Sequence, residues 1–230
     1  MKSKKRILLS LVSLCVITNS SLFASEEGGY VDRRVNPTFV YNFLKHFNYE
    51  QYYWSANYMW TNRNNYYVDN MDFAFYGGHG SPFHHYGENV DLTRAGYSSH
   101  KGYGDRDAEF ITFYSCKVVP SPIEKPGNRW ATPWTQKNGV FDGLHMVTGF
   151  RTNAYIAPSE AVANKFGLRV ASHQKVKWAW FNAIWEHGNF RNGNDRGSVV
   201  FHPSASEDRY PSRLADPNEH HQNLAIVYLR

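Results

Sequence analysis

One imidazole and one thiol stand directly after two apolar stretches of the sequence. The stretch "FAFYGGHG" ends on His79-Gly80, and "EFITFYSC" ends on Cys116. A thiol beside an imidazole is a nucleophile with its base, because the imidazole accepts the thiol proton and holds the thiolate as an ion pair. These residue types therefore predict nucleophilic catalysis if the two stretches are neighbouring strands, with His79 and Cys116 as the catalytic pair.

Glycines surround the histidine of this pair. Gly77, Gly78 and Gly80 allow the backbone to take positive φ and allow a substrate carbonyl to approach main-chain N–H groups. The N–H groups of Gly80 and Cys116 are the candidate donors of an oxyanion hole. A donor fixed at a developing negative charge commonly stabilises the transition state by about 3 kcal/mol.

Short apolar runs must position these residues. They are continuous rather than alternating, and they cover residues 73–76, 110–114, 144–150, 199–202 and 224–229. Such runs are typical of strands buried on both faces, as in a parallel sheet with helices packed above and below. The sequence thus predicts the α/β class, a three-layer α/β/α sandwich around a mostly parallel sheet, with chemistry at the carboxyl ends of the strands.

Three amphipathic helices are predicted around these runs. Asn36 and Pro37 have the types expected at the N-cap and first residue of one helix, and Ser159 begins a second. The third covers residues 174–187. Its predicted core-facing stripe consists of Trp178, Phe181 and Trp185.

The first 24 residues have the pattern of an export signal. Four basic residues precede the apolar run 7–17, and a small-residue exit follows at Ala24. We expect cleavage near this point, a secreted or periplasmic protein without membrane insertion, and one domain over residues 25–230. Oligomeric state stays open.

Removal of this segment changes the charge and the cysteine count. The net charge of +5 falls to near neutral, and no run of Lys or Arg follows, which excludes the usual electrostatic signature of nucleic-acid binding. Cys116 is then the sole cysteine, so no intramolecular disulfide can form. A lone thiol in an oxidising compartment is either buried and inert or retained for its chemistry.

The two stretches resemble the caspase-like cysteine peptidases, a group that includes caspases, metacaspases, legumains, separases, clostripain and gingipains. The shared signature is an apolar strand ending in His-Gly, here His79-Gly80, followed later by an apolar strand ending in a small residue and Cys, here Ser115-Cys116. The resemblance implies the fold described above, peptide-bond hydrolysis through an acyl-enzyme, and no cofactor. The chain is also similar to an uncharacterised exported family with the same pair of strands.

Residues for binding a peptide or protein substrate are harder to assign from the sequence. Arg151 follows the third apolar run and would favour an acidic substrate side chain, whereas Asp142 or Asp107 would favour a basic one. Trp134, together with Trp130, is a candidate apolar wall of the cleft. Packing of this loop's own tryptophans against the body of the protein is an equal alternative.

Two other functions stay open at this point. A catalytically degenerate relative would keep the fold and bind extracellular ligands, with the aromatic segment 52–67 as a candidate surface. A metallohydrolase would instead use histidines as metal ligands. Its candidate ligands are His79, His84, His85 and His100, with Asp72 or Asp91. The absence of an HExxH motif argues against this metal site, and the sequence predicts none.

Overall fold

The computed structural model describes residues 25–85, 89–94, 102–135, 139–155, 159–211, 217 and 223–230. The predicted export segment 1–24 lies outside them. The strands, in chain order, are β1 Glu27–Val31, β2 Gln51–Trp54, β3 Phe73–Gly77, β4 Gly80–Ser81, β5 His84–His85, β6 Val90–Asp91, β7 Phe110–Tyr114, β8 Met146–Phe150, β9 Gly197–Phe201 and β10 Ala225–Tyr228. The α-helices are α1 Thr38–Leu44, α2 Asn57–Trp60, α3 Thr132–Thr135, α4 Ser159–Ala171 and α5 Val176–His187.

Seven of these strands form one central sheet. Their order is β10-β9-β8-β7-β3-β1-β2. The strands β2, β1, β3, β7 and β8 are parallel to one another. The last two strands, β9 and β10, are antiparallel to their neighbours. The α/β class and the mostly parallel sheet predicted from the sequence are confirmed.

Five strands were not predicted: β1 and β2 of the central sheet, and β4, β5 and β6 of the small sheet. β1 carries two glycines, and one of them is required by packing: a Cβ on Gly29 would lie 2.5 Å from a methyl group of Leu44 and 2.8 Å from one of Val40. Glycine thus lets α1 approach the sheet closely. β2 is a half-exposed edge strand, so it lacks the continuous apolar pattern of the central strands.

One face of the sheet is covered by α1, α4 and α5. Helix α1 starts at Thr38, whose N–H donates to Asn36 Oδ1 at 3.0 Å, one residue later than predicted. Its buried residues include Phe43, which stacks on Phe75 of β3 with ring centroids 4.6 Å apart. Aromatic stacking and apolar burial therefore fix these helices against β3.

The predicted core stripe of α5 is wrong. Trp178 is 48% exposed and Trp185 is 70% exposed, whereas Trp180 is completely buried. Residues two positions apart on a helix point about 200° apart, so a core face that contains Trp180 turns Trp178 to the solvent. Of the predicted stripe, only Phe181 packs in the core.

The other face of the sheet is covered by shorter pieces. These are α2, α3, several turns of 3₁₀-helix and a three-stranded sheet in the order β4-β5-β6. The small sheet begins one residue after His79, so it continues directly from the carboxyl end of β3. Within the described part of the chain, no helix has the length and apolar character needed to span a membrane.

Candidate active site

The sheet topology determines where His79 and Cys116 lie. β3 and β7 are adjacent and parallel, with Gly77 paired to Tyr114. The ladder continues through the Gly78 N–H, which donates to the Tyr114 carbonyl at 3.2 Å. His79 and Cys116 each come two residues after the paired positions, so both lie at the carboxyl edge of the sheet on neighbouring segments.

The segments that carry the two residues also pack against each other. A Cβ built on Gly80 would lie 2.1 Å from Ser115 Oγ and 2.6 Å from a methyl group of Val118. Any side chain at residue 80 would therefore collide with Ser115 and Val118, which lie on either side of Cys116 in the chain. This contact explains the glycine after the histidine, and it brings the two predicted oxyanion donors, Gly80 and Cys116, into adjoining segments.

A buried carboxylate holds the histidine segment. Asp32 follows β1, the other neighbour of β3, and is only 1% exposed. It accepts hydrogen bonds from the His79 N–H at 3.3 Å and from Arg34 at 2.8–3.0 Å. Burial acts to raise the pKa of Asp32, but these donors outweigh it and hold the pKa below the ordinary 3.8.

The side chain of His79 itself is exposed. Its carbonyl accepts a hydrogen bond from Tyr76 Oη at 3.2 Å, and its N–H is held by Asp32. The backbone of His79 is thus fixed at both polar groups while its ring faces the solvent. Asp32 was not predicted from the sequence because β1 was not recognised as a strand. The position of Asp32 directly after the end of β1 is the signal that would have identified it.

The sulfur of Cys116 is half-buried and contacts the loop after β8. Cys116 Sγ accepts a hydrogen bond from the Ala154 N–H at 3.4 Å, and the Ala154 carbonyl lies 3.7 Å away. A thiolate accepts such a bond more strongly than a thiol does. The loop therefore provides a backbone donor to the predicted nucleophile.

A second buried carboxyl group holds this loop. Asp195 is completely buried and accepts hydrogen bonds from the Tyr155 N–H at 2.7 Å and the Asn189 N–H at 2.5 Å. Burial raises the pKa of Asp195 above its ordinary value. Asp195 thus fixes the chain next to Ala154 and, through it, the surroundings of the sulfur.

Arg151 lies at the carboxyl end of β8, on the same edge as Cys116. Its side chain is 7% exposed and forms an ion pair with Glu124. Its Nε also donates to the Leu229 carbonyl at 2.7 Å. Arg151 borders a cleft beside Lys117, although most of its hydrogen-bonding capacity serves the fold.

The other two predicted substrate residues are placed differently. Asp142 precedes β8 and its N–H donates to the Tyr103 carbonyl, so it lies toward the amino edge, away from Cys116. Trp134 is completely buried and packs against Phe83 with ring centroids 5.7 Å apart. A substrate contact by Trp134 is therefore wrong, and the alternative of a loop that packs its own tryptophan is correct for this residue.

The histidines proposed as metal ligands do not come together in the described residues. His85 is completely buried between the rings of Trp60 and Tyr76, each 4.4 Å away. Burial lowers the pKa of His85 to about 3. No group of three or more His, Cys, Asp or Glu side chains suited to a metal forms in the described ranges, and His100 lies outside them.

This architecture is a caspase-like α/β fold. The complex of the pro- and mature domains of RgpB from Porphyromonas gingivalis matches with a TM-score of 0.50 and 14% identity, over 75% of this chain and 44% of that one. The Arg-specific cysteine proteinase gingipain R matches with a TM-score of 0.49 and 11% identity, over 74% of this chain and 43% of that one. The chain spans less than half the length of these two solved chains.

The chain belongs to the DUF6345 family, which is described as a domain of unknown function. The family model matches residues 23–206. No curated protein matches the chain. The fold is thus defined by the structural similarity, whereas the activity has to be argued from the residues of this chain.

Proposed function

We propose that this protein is a cysteine hydrolase, specifically an endopeptidase, with Cys116 as nucleophile and His79 as general base and then general acid. One observation carries the proposal: adjacent parallel strands in register bring His79-Gly80 and Ser115-Cys116 to the same edge of the sheet. The packing of Gly80 against Ser115 supports it further.

The proposed reaction uses only groups of this chain, the substrate and water. His79 takes the thiol proton, and Cys116 Sγ attacks the scissile carbonyl carbon, whose oxygen the N–H groups of Gly80 and Cys116 stabilise. The intermediate collapses, the C–N bond breaks, and the amine leaves with the proton from His79. Water, deprotonated by His79, then hydrolyses the thioester and regenerates the thiol.

The surroundings of the two residues suit these roles. The exposed ring of His79 is accessible to a substrate, while its backbone is held by Asp32. Cys116 Sγ is half-buried beside a backbone N–H donor. Asp32 and Asp195 act as positioning residues, since each contacts the backbone that carries or surrounds a proposed reacting group.

Thiol labelling combined with peptide turnover tests this proposal. In a Cys15→Ala background, Cys116 is the only thiol, and we expect it to react with an electrophile much faster than free cysteine near neutral pH. His79→Ala should slow labelling at least tenfold and abolish turnover, and Cys116→Ala should abolish both. His84→Ala, which removes an imidazole on the adjoining hairpin, is the matched control and should change neither.

Two results would contradict the mechanism. Turnover that survives in Cys116→Ala would exclude the nucleophile, and labelling unchanged in His79→Ala would exclude the base. A protein that labels slowly and cleaves no peptide would instead be the degenerate, ligand-binding relative.

We also propose that the protein is exported, on the basis of the charged and apolar pattern of residues 1–24. The sequence of the mature N-terminus in the extracellular or periplasmic fraction tests this. A start near residue 25 is expected, and a full-length protein confined to the cytoplasm would contradict export.

A further inference from the structure

A cleft of about 250 Å³ opens beside Cys116 at the carboxyl edge of the sheet. The loops after β7 and β8 and the segment before β9 form its walls. The polar side chains of its lining belong to Lys117, Glu124, Arg151, Thr152, Asn153, Asn192 and Asn194. Because Lys117 directly follows Cys116, the cleft lies next to the position of a substrate residue bound at Cys116.

The charges in the cleft do not cancel. Glu124 and Arg151 form an ion pair with each other. Lys117 is exposed, and within the described part of the chain no carboxylate lies within ion-pair distance of it. The lining therefore carries one cation without a partner, and the remaining polar side chains are neutral amides and a hydroxyl.

The acidic residues that would favour a basic substrate lie elsewhere. Asp142 is bonded to Tyr103 on the far side of β8, and Asp107 precedes β7. Both are toward the amino edge of the sheet, which five-residue strands separate from the cleft by roughly 15 Å. Neither candidate partner for a basic substrate side chain therefore lines the cleft.

Lys117 adopts a backbone conformation that does not favour lysine. Its φ is 62°, and its N–H donates to the Thr152 carbonyl at 2.8 Å, which fixes the residue at the mouth of the cleft. A non-glycine residue in this left-handed region is strained relative to glycine. Glycine would relieve that strain but would leave the cleft without its unpaired cation.

We propose that this cleft binds the side-chain carboxylate of an acidic substrate residue at the position of cleavage, with the Lys117 amine as its ionic partner. This inference rests on the proposed peptidase function, because a position of cleavage exists only if the protein cleaves peptides. It concerns binding by the cleft itself, so it is testable without turnover.

Binding by the inactive full-length Cys116→Ala variant is the first test. We expect peptides ending in Asp, which resemble the released product, to bind more tightly than matched peptides ending in Asn, Leu or Arg. Lys117→Gln should reduce the preference for Asp over Asn about fivefold, as expected for a partly exposed ion pair. Lys125→Gln, which removes the same charge outside the cleft lining, should leave the preference unchanged.

A second variant separates charge from backbone strain. Lys117→Gly should unfold at an equal or higher temperature than the parent and yet lose the preference for Asp, because it relieves the left-handed strain and removes the amine. A preference for Asp that survives in both Lys117 variants would overturn the proposal, as would tighter binding of the Leu or Arg peptide.

Cleavage of peptides that carry Asp, Asn, Leu or Arg at the position of cleavage, by the unmodified protein, distinguishes the two proposals. Cleavage after Asp in preference to Asn supports both of them. Cleavage after Leu or Arg overturns the cleft assignment and leaves the peptidase function standing. Selective binding of Asp peptides with no cleavage of any peptide keeps the cleft assignment and overturns the peptidase function.

Discussion

Asp32 at the carboxyl edge of the central sheet and three acidic groups at the amino edge have pKa shifts of opposite direction. At the amino edge, burial raises the pKa of Glu27, Asp69 and Asp72. At the carboxyl edge, Asp32 is also buried, but Arg34 and backbone donors lower its pKa. The amino-edge groups therefore bind a proton more readily than an ordinary carboxyl group, and Asp32 binds one less readily.

This difference separates structural groups from candidate functional ones. A strongly raised pKa in a buried group is often taken as a sign of an active site. Here the raised values of Glu27, Asp69 and Asp72 occur among residues hydrogen-bonded to Tyr210 and to backbone N–H groups, far from the histidine and the sulfur, and only that of Asp195 belongs to a residue beside the Cys116 loop. The residue that holds His79 shows a lowered pKa instead, so the direction of the shift and its cause are more informative than its size.

The largest expected effect lies at the amino edge. The pKa of Asp69 is raised to about 8, first by burial and then by Asp105. Since the folded protein holds this proton more tightly than the unfolded chain, with its pKa near 3.8, unfolding releases it, and stability should fall as the pH rises from about 4 to about 8. Asp69→Asn should remove this slope and stabilise the protein at pH 8 by about 2 kcal/mol or more.

Urea unfolding at several pH values measures this effect. Glu160→Gln, at an exposed position of α4, is the control and should retain the slope. An unchanged pH dependence in Asp69→Asn would show that the amino edge does not hold a proton in the folded state.

The next effect is at the carboxyl edge and has the opposite sign. Asp32 should contribute stability above pH 3.8 that is lost as the pH falls through its lower folded pKa. Asp32→Asn should cost about 1–3 kcal/mol and, by loosening His79, reduce kcat/KM about 10–100-fold. Electrophile labelling of Cys116 should slow in the same variant.

A destabilised variant from the other edge provides the control for that result. If an amino-edge variant of similar stability slowed labelling to the same extent, Asp32 would be a general structural residue rather than a positioning residue for His79.

The smallest effect concerns Tyr210, which donates to Glu27 Oε1 at 2.6 Å and is buried. Tyr210→Phe should cost about 1–2 kcal/mol of stability, the usual range for a hydrogen bond to an acidic group. Activity and labelling should stay within twofold of the parent, because the amino edge takes no part in the proposed chemistry. A larger loss of activity would remove the functional distinction between the edges.

The sequence was sufficient where apolar patterning alone determines an element. β3, β7 and β8 were predicted because strands buried on both faces need continuous apolar runs, and their ends identified His79 and Cys116. β1 was missed because its glycines serve close packing by α1, and Asp32 was missed with it. The core face of α5 and the burial of Trp134 depend on contacts distant in sequence, which local patterns do not encode.

The backbone conformation of Lys117 was also not predictable, because it depends on a contact distant in sequence. No local pattern indicates that the residue after Cys116 takes a positive φ, because the Thr152 carbonyl that fixes it comes from another strand end. The placement of Arg151 and Asp142 at opposite edges of the sheet also required the topology, since the two residues are close in sequence.

The alignment of β3 with β7 sets the spacing between the imidazole and the sulfur. A slip of one residue would put Gly78 or Gly80 level with Cys116, and it would turn Phe73 and Phe75 away from the helices that cover them. Because the opposite face is already filled by other side chains, the lost packing of these two rings keeps the strands in register, and this register maintains the separation of His79 and Cys116. Packing of the apolar core thus determines the distance between the polar groups at the carboxyl edge of the sheet.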